Sequence, residues 1–160
     1  MFTTKLAKVR TLVLGGAAAA AVVLPLTLVT APAQAATFNG CTVTPLTPTR
    51  IGTNAAGVPI VRYSTVVSCV KDRIVQVRDQ RYEADAPAGV AGDDFYGSTT
   101  YPVKTFAVAG TVILSSSDLV TNTEFGNEET YHRTSFRVAS IDGASGWTAF
   151  QDSGLLSVAI

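Results

Sequence analysis

The chain is short of the residues on which most catalytic and metal chemistry depends. Its 160 residues include two cysteines, one histidine, one tryptophan and one methionine. Structural zinc sites take about four cysteine or histidine ligands, so three such residues in all argue against one. A Ser-His-Asp arrangement would have to use His132. The nucleophile elbow G-x-S-x-G is missing, and Gly143-Ala144-Ser145-Gly146 has its composition without its spacing. The D-x-D-x-D-G loop of calcium-binding EF hands is missing as well. Acidic neighbours occur at Glu83 and Asp85, Asp93 and Asp94, and Glu128 and Glu129. Each pair lies in or beside a polar stretch, and adjacency in sequence does not supply the carboxylate spacing of a glycoside hydrolase. No catalytic residue, metal or cofactor is therefore expected.

A basic footprint is lacking too. Residues 1–10 carry Lys5, Lys8 and Arg10 and no acid, and an apolar run follows over 11–29. The run ends in Ala31-Pro32-Ala33-Gln34-Ala35, a small-residue A-x-A site. Basic, apolar and small-residue regions in that order predict a secretory signal peptide over 1–35, with a single domain over 36–160. A membrane anchor is the competing reading of the apolar run. Gly15-Gly16, Pro25 and the A-x-A site argue for cleavage, leaving no membrane span afterwards. The Ala-rich, basic style of the segment suggests a bacterial source. Cleavage would remove three of the twelve basic residues and none of the twelve acids, leaving a formal charge of −3. Nucleic-acid binding, which needs a strong basic patch, is not expected of such a chain.

What is present is alternation. Residues 58–84 contain two runs rich in β-branched side chains. In the first, Val61, Tyr63, Val67 and Cys69 share one parity, and Arg62, Ser64 and Ser68 the other. In the second, Val75 and Val77 oppose Gln76, Arg78 and Gln80. A period of two predicts strands, and the polar Lys71-Asp72-Arg73 between them predicts a hairpin turn. Cys41 opens a further alternating stretch, Cys41-Thr42-Val43-Thr44. In an exported protein two cysteines predict a disulfide, here Cys41 to Cys69.

The remainder reads as short strands between turn signals. Residues 36–40 read as an arm and 47–57 as a loop. Residues 85–94 form a small, acidic loop. Residues 103–114 predict a strand with a bulge at Gly110, and Ser115-Ser116-Ser117-Asp118 a turn. Over 130–140, His132, Phe136 and Val138 share one face and Tyr131, Arg133 and Arg137 the other. Asp142-Gly143 and Ser145-Gly146 are turn dipeptides, and a final hairpin is expected around Asp152-Ser153-Gly154. Seven or eight strands without a helix predict an all-β, antiparallel β-sandwich of immunoglobulin-like architecture. Glu128-Glu129-Thr130-Tyr131 resembles the tyrosine corner of immunoglobulin domains. Arg133 stands where those domains carry a cysteine, so the resemblance implies architecture alone.

One stretch suggests a site. Asp93, Asp94, Phe95 and Tyr96 set two acids beside two aromatics between Gly92 and Gly97. Carboxylates suit calcium, and exposed rings suit sugars or peptides. The arginines of 62–81 are interleaved with acids and read as a solvated, charge-paired face. These features predict a secreted, non-enzymatic module that recognises an extracellular protein or glycan. A small extracellular hydrolase and an inhibitor or effector of another extracellular protein are the alternatives.

Overall fold

The computed structural model describes residues 33–84, 92–121, 127–140 and 143–159. Every element in them is a strand: β1 (Ala36–Phe38), β2 (Cys41–Pro45), β3 (Thr49–Thr53), β4 (Pro59–Cys69), β5 (Arg73–Glu83), β6 (Asp94–Thr100), β7 (Lys104–Phe106), β8 (Gly110–Leu119), β9 (Glu128–Ser140), β10 (Gly143–Ala144), β11 (Gln151–Asp152) and β12 (Leu156–Val158). They form two antiparallel sheets. The first runs β1-β2-β4-β3, with β8 along the other side of β4; the second runs β10-β9-β5-β6, with β11 and β12 on β9 and β7 on β5. Valines and aromatics of both sheets share one core, so the sheets pack as a sandwich: Val43, Val67 and Leu114 from the first meet Val75, Val77, Phe136 and Val138 from the second. Fully burying each such side chain contributes roughly 1.5–3 kcal/mol.

The period-two reading holds where it was strongest. On β4 the odd positions Val61, Tyr63, Thr65 and Val67 are buried, with Cys69 beside them. On β5 Val75 and Val77 are buried, and on β9 His132, Phe136 and Val138. The disulfide joins Cys41 to Cys69, directly opposite each other on β2 and β4.

The expected hairpin over 58–84 does not form. Both strands exist, but β4 lies in the first sheet and β5 in the second. A hairpin turning on the three residues 71–73 would oppose residues of the same parity, so inward-facing odd positions suit that hairpin and an arch between sheets equally well. Pairing partners decide. β4 is flanked by β2 and β3 on one side and β8 on the other, and β5 by β9 and by β6 and β7. The connector is pinned at the corner. Asp72, at φ +60°, donates its N–H to Phe106 O at 2.7 Å, and Val70 donates to Gly40 O at 2.9 Å. Arg73 Nε adds a bond to Asn39 O at 2.9 Å.

Several other boundaries differ. The supposed arm is a hairpin, β1–β2, turning on Asn39-Gly40 at φ +47° and +74°. That is the pairing of φ values a two-residue primed turn requires, and Asn-Gly is its usual sequence. The loop over 47–57 contains β3, which is exposed throughout and so shows no alternation. Ser115, Ser116, Ser117 and Asp118 lie inside β8, where Ser115 Oγ meets Ser64 Oγ at 3.0 Å across the sheet. Gly110 opens β8, following a bend, and marks no bulge. Phe95 and Tyr96 belong to β6; residues 85–91 of the acidic loop, 122–126 and most of the predicted signal lie outside the described residues. The final hairpin is replaced by two short strands, β11 and β12, that both pair with β9.

Candidate functional site

The core is divided. Around the disulfide it is apolar. Towards the other end of β5 and β9 the inward positions turn polar: Asp79, Arg81 and Glu83 face Thr134, His132 and Thr130, all buried. His132 Nδ1 lies 2.6 Å from Asp79 Oδ1, and Nε2 lies 2.8 Å from the carbonyl of Leu46. A carbonyl can only accept, so Nε2 carries a proton, and Nδ1 and the Asp79 carboxyl hold another between them. Asp79 Oδ2 stands 3.7 Å from Arg81 Nη1. That guanidinium donates to Thr99 Oγ1 at 2.8 Å and Ser116 Oγ at 2.9 Å, and its Nε lies 3.4 Å from Asp118 Oδ2. One arginine thus ties β5 to β6 and to β8 of the opposite sheet.

Tyr63 closes this region. Its ring meets His132 edge-on at a centroid distance of 5.6 Å. Its hydroxyl lies 2.8 Å from Thr130 Oγ1, which donates its own proton to Tyr82 O, so Tyr63 is the donor. Burial pushes the Tyr63 phenol up to about 12. An Asp-His pair is two-thirds of a hydrolytic triad, but the nitrogen that would take a nucleophile's proton is bonded to a backbone carbonyl. His132 is fully buried, and Ser153 Oγ accepts its backbone N–H and does not meet its ring. The arrangement suits a structural clamp.

The outer face of the second sheet is built differently. Arg78 lies between two rings, 4.6 Å from the centroid of Trp147 and 4.6 Å from that of Phe150. Arg137 lies 5.0 Å from Trp147 and Arg133 5.6 Å from Phe150. Tyr82 continues the row, stacked on Tyr131 at 5.4 Å and 5.5 Å from Phe95. Arg133 is paired with Asp152 at 2.7 Å. Among the described residues, Arg78 and Arg137 have no carboxylate within ion-pair distance.

The two rings reach this position through a repeated hydrogen-bond device. Ser145 donates its N–H to Val138 O, and its hydroxyl accepts the Val138 N–H. Thr148 does the same with Phe136, and Ser153 with His132. From 145 to 153 the segment spends nine residues beside seven of β9, 132–138. The surplus leaves the ladder, and Trp147 and Phe150 lie over the arginines. The Ser145, Thr148 and Ser153 spacing is visible in the sequence, but hydroxyl residues are too common for it to announce itself.

The four residues singled out from sequence do not converge. Asp93 accepts from the Tyr131 hydroxyl at 2.7 Å. Burial, with Asp93 beside it, raises the Tyr131 phenol; this bond replaces the backbone contact of a tyrosine corner. Asp94 is exposed at the start of β6. Phe95 is 55% exposed and joins the outer row through Tyr82. Tyr96 falls at a bulge and packs with Val61, Tyr63, Val120 and Val158. Among the described residues no group of three or more histidine, cysteine or acidic side chains is placed to hold a metal ion.

No family model matches the chain, and no curated protein does. Four chains among solved structures match. One is the X-ray structure of Northeast Structural Genomics Consortium target SoR45, 14% identical, covering 78% of this chain and 89% of its own, with a TM-score of 0.35. A likeness of that size carries neither fold nor function across.

Proposed function

We propose that the chain is a secreted, bacterial, non-enzymatic β-sandwich module of immunoglobulin-like architecture that recognises an extracellular protein or glycan with the outer face of its second sheet. The signal-like segment over 1–35 and the disulfide support export. The observation that carries the reading is Arg78, clamped between Trp147 and Phe150 without a carboxylate partner among the described residues. Rings and guanidinium hold one another, so little side-chain entropy remains to be lost on binding. With no carboxylate partner among the described residues, the charges of Arg78 and Arg137 favour a ligand with acidic groups, an anionic glycan or an acidic protein surface. Retention of the purified chain on heparin and on polygalacturonate, with salt elution, tests this. Retention that falls in Arg78→Ala and Arg137→Ala supports it. No retention of the parent chain on either matrix at low salt, together with no binding to acidic peptides, removes it.

A second reading, an inhibitor or effector of another extracellular protein, rests on β3. All five of its residues are exposed, inside the loop that the disulfide closes.

A further inference from the structure

A sheet edge offers unpaired N–H and C=O groups, and soluble proteins usually blunt it with lysine, proline, a bulge or brevity. Most edges here are blunted. β3 is five residues long and bulged between Arg50 and Gly52. β6 opens on Asp94 and is bulged opposite Arg81 and Tyr82. β7 is three residues long and carries Lys104; β1, β10, β11 and β12 have three residues or fewer.

β8 is the exception among the described residues. It has ten residues, pairs with β4 alone among the described strands, and keeps its register without a break from Gly110 opposite Cys69 to Leu119 opposite Ile60. It contains no lysine, arginine, glutamate or proline. Its one acid, Asp118, stands by Arg81 at 3.4 Å. Ile113 is 64% exposed on the outward face.

We propose that this edge pairs with the same edge of a second copy of the chain, antiparallel, joining the two first sheets into one continuous sheet. An antiparallel pair of identical strands is self-complementary about a two-fold axis. Residues 110–117 are uncharged, so no like charges meet. Opposed side chains share a face, so the register must set outward positions against outward ones. The register that places Ile113 against Ile113 of the second copy does so. It also sets Leu114 against Val112 inside and Ser115 against Thr111 outside. The ladder then ends at Ser116, and Asp118 lies beyond it. The free edge of β8, with its exposed isoleucine, is covered by its own likeness.

Sedimentation of the purified chain over a concentration series tests this. Mass should double with concentration, and Ile113→Lys, which sets two ammonium groups opposite each other, should weaken association at least about tenfold. Its melting curve at low concentration should match the parent, because Ile113 is exposed. Ile113→Cys should form a disulfide-linked dimer under oxidation, whereas Ser117→Cys should not. Amide exchange of the parent should show concentration-dependent protection over 111–116. A parent chain that stays monomeric at every concentration overturns the proposal. So does a dimer that Ile113→Lys leaves intact, or protection confined to another strand.

Discussion

The side chains of His132 on β9 and Asp79 on β5 meet on the diagonal, with Nδ1 and Oδ1 2.6 Å apart, and neither touches solvent. Nε2 is committed to the Leu46 carbonyl, in the stretch between β2 and β3. The ring therefore spans from the second sheet to the first. Removing one member of such a pair leaves the other buried and uncompensated, at a cost of about 3–5 kcal/mol. Asp79→Ala and His132→Ala should each lower the unfolding free energy measured in urea by that order. The double variant should cost clearly less than the two together, because the second removal takes away a group already stranded. Additive losses would show that the two side chains do not act as a pair.

The disulfide lends itself to a plainer test. Cys41 and Cys69 are 28 positions apart, for which loop closure contributes roughly 3–4 kcal/mol. Cys69→Ser should lower the melting temperature, and mild reductant should do the same to the parent chain. An unchanged midpoint in both would mean that the bond is not formed in solution.

Alkaline pH should act through the tyrosines. In the folded chain the Tyr63 phenol titrates at about 12, against 10.0 for a free phenol, and Tyr131 is shifted in the same direction. The folded state holds these protons more tightly than the unfolded state. The Tyr63 contribution is complete below pH 10 and is lost as pH rises through about 12, and Tyr131 acts in the same direction. Denaturant midpoints should fall progressively above about pH 10, and Tyr63→Phe should reduce the steepness of that fall. A parent chain whose midpoint stays level to pH 12 would contradict the assignment.

The pairing of strands was less legible than the strands. Alternation over 61–69 and 75–80 placed the buried face correctly, because each inward residue reports its own burial. Which strand lies beside which depends on edges, and the sequence of 58–84 suits a hairpin and an arch alike. β3 is illegible in the sequence because an edge strand exposed on both faces has no period to read. Asn39-Gly40 did carry a hairpin signal, obscured by the brevity of β1. Phe95 and Tyr96 were visible as aromatics, yet a bulge sends one outward and the other into the core. Trp147 and Phe150 come over Arg78 through the side-chain bonds of Ser145 and Thr148, and no local pattern encodes that.

That bonding can be tested directly, because Trp147 is the chain's single tryptophan. Thr148 Oγ1 accepts the Phe136 N–H at 3.1 Å, and Phe136 is buried. Thr148→Val keeps the shape and removes the acceptor, so a buried N–H is left unsatisfied at about 1–3 kcal/mol. The segment that holds Trp147 should loosen from β9. Tryptophan emission should shift to the red, and iodide should quench it more efficiently. Arg78→Ala should change the emission as well, by removing the guanidinium 4.6 Å from the indole. Its effect on stability should be smaller, since the Thr148 rung stays intact. If Thr148→Val lowers stability yet leaves both emission and quenching as in the parent chain, the hydroxyl rungs brace β9 without positioning the ring, and the outer row owes its arrangement to the stacking of Arg78 alone.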